Sequence, residues 1–139
     1  MRVVLAMGLM VVLSGAAVAH EAPVGSAAAA SFEQGRLHRG TDSARAIAHF
    51  EAAARMHHPA AMFTLSNMYA AGEGVTADQA TARMWLERAA DIGYPEALQQ
   101  MALHLLEGTL GYVRDEQRAA QLLRAAGHAL KHRRNDAVH

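Results

Sequence analysis

The chain has 139 residues, 13 lysines and arginines balanced by 13 aspartates and glutamates, and no cysteine. Once a leader is set aside, that length fits one domain. A balanced charge without a basic block argues against nucleic acid as a partner, and the missing cysteines exclude disulfides, thiolate metal sites and cysteine nucleophiles.

The first segment, "MRVVLAMGLMVVLSGAAVAH", reads as an export signal. Arg2 supplies a positive start, Val3 to Leu13 an apolar core, and Ala17-Val18-Ala19 a small-x-small cleavage site. Cleavage after Ala19 predicts a periplasmic or secreted protein with no stable membrane insertion afterwards. The uncharged run from Val3 to Ala19 lies at the short edge of a bilayer span of about 20 residues, so a retained anchor is the alternative. Residues 20–25 are expected to be a flexible leader. The run "GSAAAAS" beyond them either opens the first helix or extends that leader.

Pro59 and Pro95 stand 36 residues apart, and the chain aligns with itself at that shift. Ala61 falls on Ala97, Met62 on Leu98, Leu65 on Met101, Tyr69 on Leu105 and Gly72 on Gly108. Backwards, Ala82 falls on Ala46, Leu86 on Phe50, Glu87 on Glu51, and Ala89-Ala90 on Ala53-Ala54. With one residue deleted, Tyr69-x-x-Gly72 corresponds to Phe32-x-x-Gly35.

Each unit predicts two helices. In the central unit Pro59 suits a first helical position, because its missing N–H has no partner to lose there. Ala61, Leu65 and Tyr69 keep helical spacing, Ser66 is small enough for a neighbouring helix to approach, and Gly72 and Gly74 can take positive φ and stop the helix. Thr76-x-x-Gln79 has capping-box spacing and predicts the next start. Ala82, Trp85, Leu86, Ala89 and Ala90 then form one apolar face, with Trp85 as the large wedge between helices, and Gly93 ends it. Asp42, Asp78 and Asp115 recur near helix starts, where a carboxylate offsets free N–H groups. A last helix from about Asp115 to Lys131 is expected to cap the array, turning Arg118, Gln121, Arg124 and Lys131 to water. Residues 132–139 are expected to form a flexible tail.

The central unit resembles the Sel-one-like repeat family, a relative of the tetratricopeptide repeats. Ala61, Leu65, Tyr69, Gly72, Gly74, Val75, Asp78, Ala82, Trp85, Arg88, Ala89, Ala90 and Gly93 follow the family pattern in order, with Ser66, Thr81 and Arg88 in place of its glycine and two lysines. The flanking units match less fully: the first reads "FEQGRLHRG" and the third carries extra residues in "EGTLGYVRD". The resemblance implies an all-α solenoid of about three helix-turn-helix repeats over residues 26–131, wound as a right-handed superhelix. It also implies a scaffold that binds other proteins, in bacteria often at the envelope.

Function is therefore expected on the faces that stacking leaves open. If the first helix of each pair lines the concave side, helical phase names Phe63, Asn67 and Ala71 in the central unit. The same phase names Gln99, Leu103 and Glu107 in the third unit, and Ala30 and Gln34 in the first. A peptide or partner protein would dock there, with Phe63 either an aromatic anchor or packed against a neighbouring helix. Nothing in the spacing predicts an enzyme or a cofactor. The rival reading is a small carrier of copper or zinc. It would use His20 at the new N-terminus, or His128 and His132, four apart on one helix face. His57-His58 falls in a helix-to-helix turn, where the negative end of the preceding helix favours positive charge. The methionines Met56, Met62, Met68, Met84 and Met101 lie at core or near-core spacing.

Overall fold

A computed structural model describes residues 24–138, which form six α-helices. They run α1 (Val24–His38), α2 (Ser43–Arg55), α3 (Pro59–Ala71), α4 (Gln79–Asp91), α5 (Pro95–Glu107) and α6 (Glu116–Asp136). The export signal and most of the leader lie outside the described residues. Helices pair most closely as α1 with α2, α3 with α4, and α5 with α6, and α2 packs on α3 and α4 on α5 to join the pairs. This is an α/α solenoid of three helix-turn-helix units.

Local chemistry sets the boundaries. The three recurring aspartates are the N-caps of the three second helices. Asp42 accepts from the Arg45 N–H, Asp78 from those of Ala80 and Thr81, and Asp115 from that of Arg118. Each carboxylate satisfies N–H groups that the helix itself leaves open. The Asp78 carboxyl is held below its usual range, first by the Thr81 hydroxyl and then by these N–H groups. α4 thus starts at Asp78 rather than at Thr76, correcting the capping-box expectation. The Asp78 N–H donates to the Tyr69 carbonyl at 2.9 Å, which ties the loop back to α3 at the residue where α4 is capped.

Pro59 and Pro95 open α3 and α5, and Gly72 and Gly108 close them in the left-handed conformation at φ 71°. Gly35 behaves differently from Gly72, with which it aligns. It lies inside α1, which continues to His38. A Cβ at position 35 would sit 2.6 Å from the Phe50 ring, so the glycine permits close approach of α1 to α2 and does not end a helix. Both outer helices outrun their expected limits. α1 begins at Val24, and α6 reaches Asp136, held at its far end by a pair of hydrogen bonds from Arg133 to Glu96 at 2.8 and 3.0 Å.

One core runs the length of the array. Phe50, Leu65, Met68 and Leu86 are its largest fully buried side chains, and Trp85 is buried beside them. Burying each such side chain contributes about 1.5–3 kcal/mol. Ala46, Ala53, Ala82, Ala89, Ala97, Ala102 and Ala119 are wholly buried between them, where a larger residue would hold the backbones apart. Met62 and Met101 join Met68 in the core, Met56 is half-buried, and Met84 is exposed.

Candidate interaction surface

Stacking consumes most polar groups near the core. Ser66 is the one buried polar residue among those described, and no buried side-chain nitrogen or oxygen there lacks a hydrogen-bond partner. The joints between units share a contact. The Tyr69 hydroxyl on α3 donates to Glu51 on α2, and the Tyr112 hydroxyl donates to Glu87 on α4. The connecting loops are tied as well. Arg39 makes two 2.8 Å hydrogen bonds to Glu73, joining the first loop to the third, and Arg83 reaches from α4 to the Gly111 carbonyl.

On α5, Gln99, Leu103 and Glu107 fall one turn apart and are all exposed, Leu103 to 49 %. They form a line that no other helix covers among the described residues. On α3 the corresponding line is more covered. Asn67 is half-buried, Ala71 is exposed, and Phe63 is half-buried against the core with its ring 5.7 Å from that of Tyr94. Phe63 therefore spends part of its surface joining α3 to the turn before α5. Ala30 and Gln34 on α1 are exposed. None of Phe63, Asn67, Gln99, Leu103 and Glu107 lines any of the three main clefts. The roomiest of these three clefts, about 480 Å³, lies at the C-terminal ends of α2 and α4 between Arg55, His57, Met62, Arg88 and Ile92. Hydropathy phase does not reveal it, because it forms between turns and not along one helix face.

Three histidines near helix ends take structural roles. His57 adopts positive φ (60°) after α2, and His58 caps α3, its Nδ1 accepting from the Ala61 N–H. His58 also stacks on Phe32 at 4.5 Å, and burial, opposed by Glu33, lowers its pKa. A neutral imidazole is what an accepting Nδ1 requires, so the expected use of positive charge at this turn is corrected for His58. His104 likewise has a lowered pKa through burial and contacts the Thr109 hydroxyl at 2.7 Å. His128 and His132 lie side by side on α6, ring centroids 4.6 Å apart and both exposed. Among the described residues no group of three or more histidines, cysteines, aspartates or glutamates could hold a metal ion. His20 lies outside them. No helix among them is long and apolar enough to cross a membrane.

Helix pairs capped in the same way, stacked through small residues and offering an open first-helix face define a helical repeat scaffold. Similarity to known proteins specifies which kind. The Sel1 repeat model matches residues 28–58, 59–94 and 95–129, so the chain belongs to the Sel1 repeat family. Among solved structures it is similar to the crystal structure of a Sel1 repeat protein from Oxalobacter formigenes. The TM-score is 0.69 and the identity 27 %, over 73 % of this chain and 43 % of that one. The chain thus spans less than half the length of that relative. No curated protein matches significantly. The Sel1 repeat fold is typical of protein–protein interaction scaffolds.

Proposed function

We propose that this protein is an exported, non-catalytic docking module that binds a peptide or partner protein along the outward line of its first helices. Gln99, Leu103 and Glu107 form the centre of that surface, Asn67 continues it, and Phe63 lies at its margin. The observation that carries this reading is the α5 line, where an apolar side chain exposed to 49 % is flanked by an amide and a carboxylate. Such a mixture suits noncovalent recognition, with one apolar anchor and polar neighbours that set direction. An open face, not an enclosed pocket, suits an extended or helical partner. The leader read from residues 1–19 supports export.

The test is site-directed photocrosslinking in cells that export the protein. A photoreactive residue at Leu103 is compared with one at the exposed Arg45 on α2. Capture of the same protein at Leu103 alone, abolished by Gln99→Ala together with Glu107→Ala, is the expected result. Equal capture at both positions, or none at Leu103, would overturn the assignment of this face.

A further inference from the structure

The three N-cap aspartates provide a common register for the second helices. Eight residues beyond them stand Phe50, Leu86 and Leu123, and twelve beyond stand Ala54, Ala90 and Gly127. In α2 and α4 these positions are covered: Phe50 and Leu86 are 0 % exposed, Ala54 2 % and Ala90 8 %. In α6 they are open, with Leu123 exposed to 44 % and Gly127 exposed with room for a Cβ. Leu130, one turn beyond Gly127 and 38 % exposed, extends the strip. α2 and α4 each have a following first helix packed on them, whereas α6 packs on α5. Phe50 also packs on Phe32 and Gly35 of its own first helix, so the following helix supplies only part of the cover. Among the described residues, α6 thus keeps the residue types of a stacking seam with no following helix packed on it.

The edge of the seam differs from its counterparts in charge. Nine residues beyond the aspartates stand Glu51, Glu87 and Arg124. The first two accept tyrosine hydroxyls across a joint between units. Arg124 replaces the acceptor by a cation. Lys131 lies four residues beyond Gly127 and Arg134 four beyond Leu130, close enough on a helix to flank the strip. All three are exposed, and none enters an ion pair among the described residues. A second copy of α6 would bring the same cations face to face, which opposes symmetric pairing.

We propose that the end face of α6, formed by Leu123, Gly127 and Leu130, docks an amphipathic helix of a partner protein that carries carboxylates along its edge. That helix would take the place a fourth unit's first helix would hold, with a carboxylate on Arg124 where the other joints set a tyrosine on a glutamate. The apolar seam supplies contact area, and the cations select the partner and its direction. This surface is separate from the α5 line, and either can fail without the other.

The probe is a pair of fluorescein-labelled, hydrocarbon-stapled peptides of the α3 sequence, Pro59–Ala71, one carrying Tyr69→Glu and the other Tyr69→Lys. Their binding to the full chain is read by fluorescence anisotropy. The glutamate peptide is expected to bind at least about tenfold more tightly than the lysine peptide, a preference that Arg124→Glu reverses. Leu123→Glu should abolish binding of both, with circular dichroism confirming an unchanged fold, since the side chain is already exposed. Equal binding of the two peptides, or binding insensitive to Leu123→Glu, overturns the proposal. So does self-association by sedimentation equilibrium that Leu123→Glu abolishes, because the seam's occupant is then a second copy.

Discussion

The Tyr112 hydroxyl lies 3.1 Å from Glu87 Oε1, the same distance that separates the Tyr69 hydroxyl from Glu51 Oε1. The glutamates occupy equivalent places on α4 and α2, but the tyrosines do not occupy equivalent places at all. Tyr69 is on α3, whereas Tyr112 belongs to the loop after α5. In the third unit Leu105 stands where the tyrosine would be, and the loop to the capping aspartate is one residue longer. Positive φ at Leu110 and Gly111 turns that loop inward, and Arg83 closes over the Tyr112 ring at 4.0 Å. Burial, and then the nearby Glu87 charge, push the Tyr112 pKa well above its ordinary value, so the hydroxyl remains a donor.

Tyr69→Phe and Tyr112→Phe should each lower stability by about 1 kcal/mol, the usual net worth of such a hydrogen bond. Tyr112→Ala should cost about 3 kcal/mol, since the loop also loses a buried ring. Urea unfolding of the full chain measures all three. A neutral Tyr112→Phe would reduce that residue to a packing role.

Two glycines should respond in opposite directions. Gly74 has φ +73°, and a Cβ there would lie 2.6 Å from Ser43 Cβ and 2.7 Å from its carbonyl carbon. Gly74→Ala is expected to destabilise by at least about 1–3 kcal/mol, from strain at that φ and the clash with α2. Gly127 is helical with nothing within 4 Å, and Gly127→Ala should stabilise by about 0.5–1 kcal/mol. Melting temperatures of the two variants check the contrast.

Acid should loosen the array before its carboxylates titrate. The pKa values of His58 and His104 are lowered in the folded state, chiefly by burial, with Glu33 and Glu107 respectively opposing. Unfolding restores the ordinary value of 6.5, so the unfolded chain binds protons first as pH falls. The contribution is complete above the unfolded value and is lost as pH drops through the lowered folded ones. Glu73 and Glu96 are held below their usual range by hydrogen bonds from Arg39 and Arg133 and lose their contribution only at lower pH. Thermal melts between about pH 5 and pH 7 isolate the histidines. His58→Asn, which keeps an N-cap acceptor that does not titrate, should flatten the dependence in that interval.

Phe63→Ala should cost about 2 kcal/mol of stability, because its ring contacts Tyr94 and the core. Leu103→Ala should leave stability within about 0.5 kcal/mol, as expected of an exposed side chain. Chemical denaturation of the pair separates the packed aromatic from the open leucine. A stable Phe63→Ala variant would return Phe63 to the binding face as an anchor.

Much of the fold was legible because each joint uses residues with one strong local preference. Pro59 and Pro95 open helices, Gly72 and Gly108 close them, and the three aspartates cap the second helices, all at nearly regular intervals. Trp85 as a buried wedge and the alanine contacts came from the same periodicity. Where two local signals competed, tertiary contact decided. Asp78 prevailed over Thr76 because its N–H is tied to Tyr69, and Gly35 stayed helical because Phe50 needed its missing side chain. Tyr112 was not legible, since no shift of the sequence aligns it with Tyr69. The open α5 line came from helical phase alone. The greater cover over Phe63 depends on Tyr94, which approaches only once the turn has folded.

The substantial helix contacts all join elements adjacent along the chain. Little loop entropy has to be lost before each contact forms, so the array should fold fast for its length. It should also open from its ends. The slowest backbone amide exchange is expected in α3 and α4, where neighbours lie on both sides, and the fastest in α1 and the far end of α6. Mechanically the protein is a short stack of hinged plates, and a helix seated at either end would brace the whole stack without touching its middle.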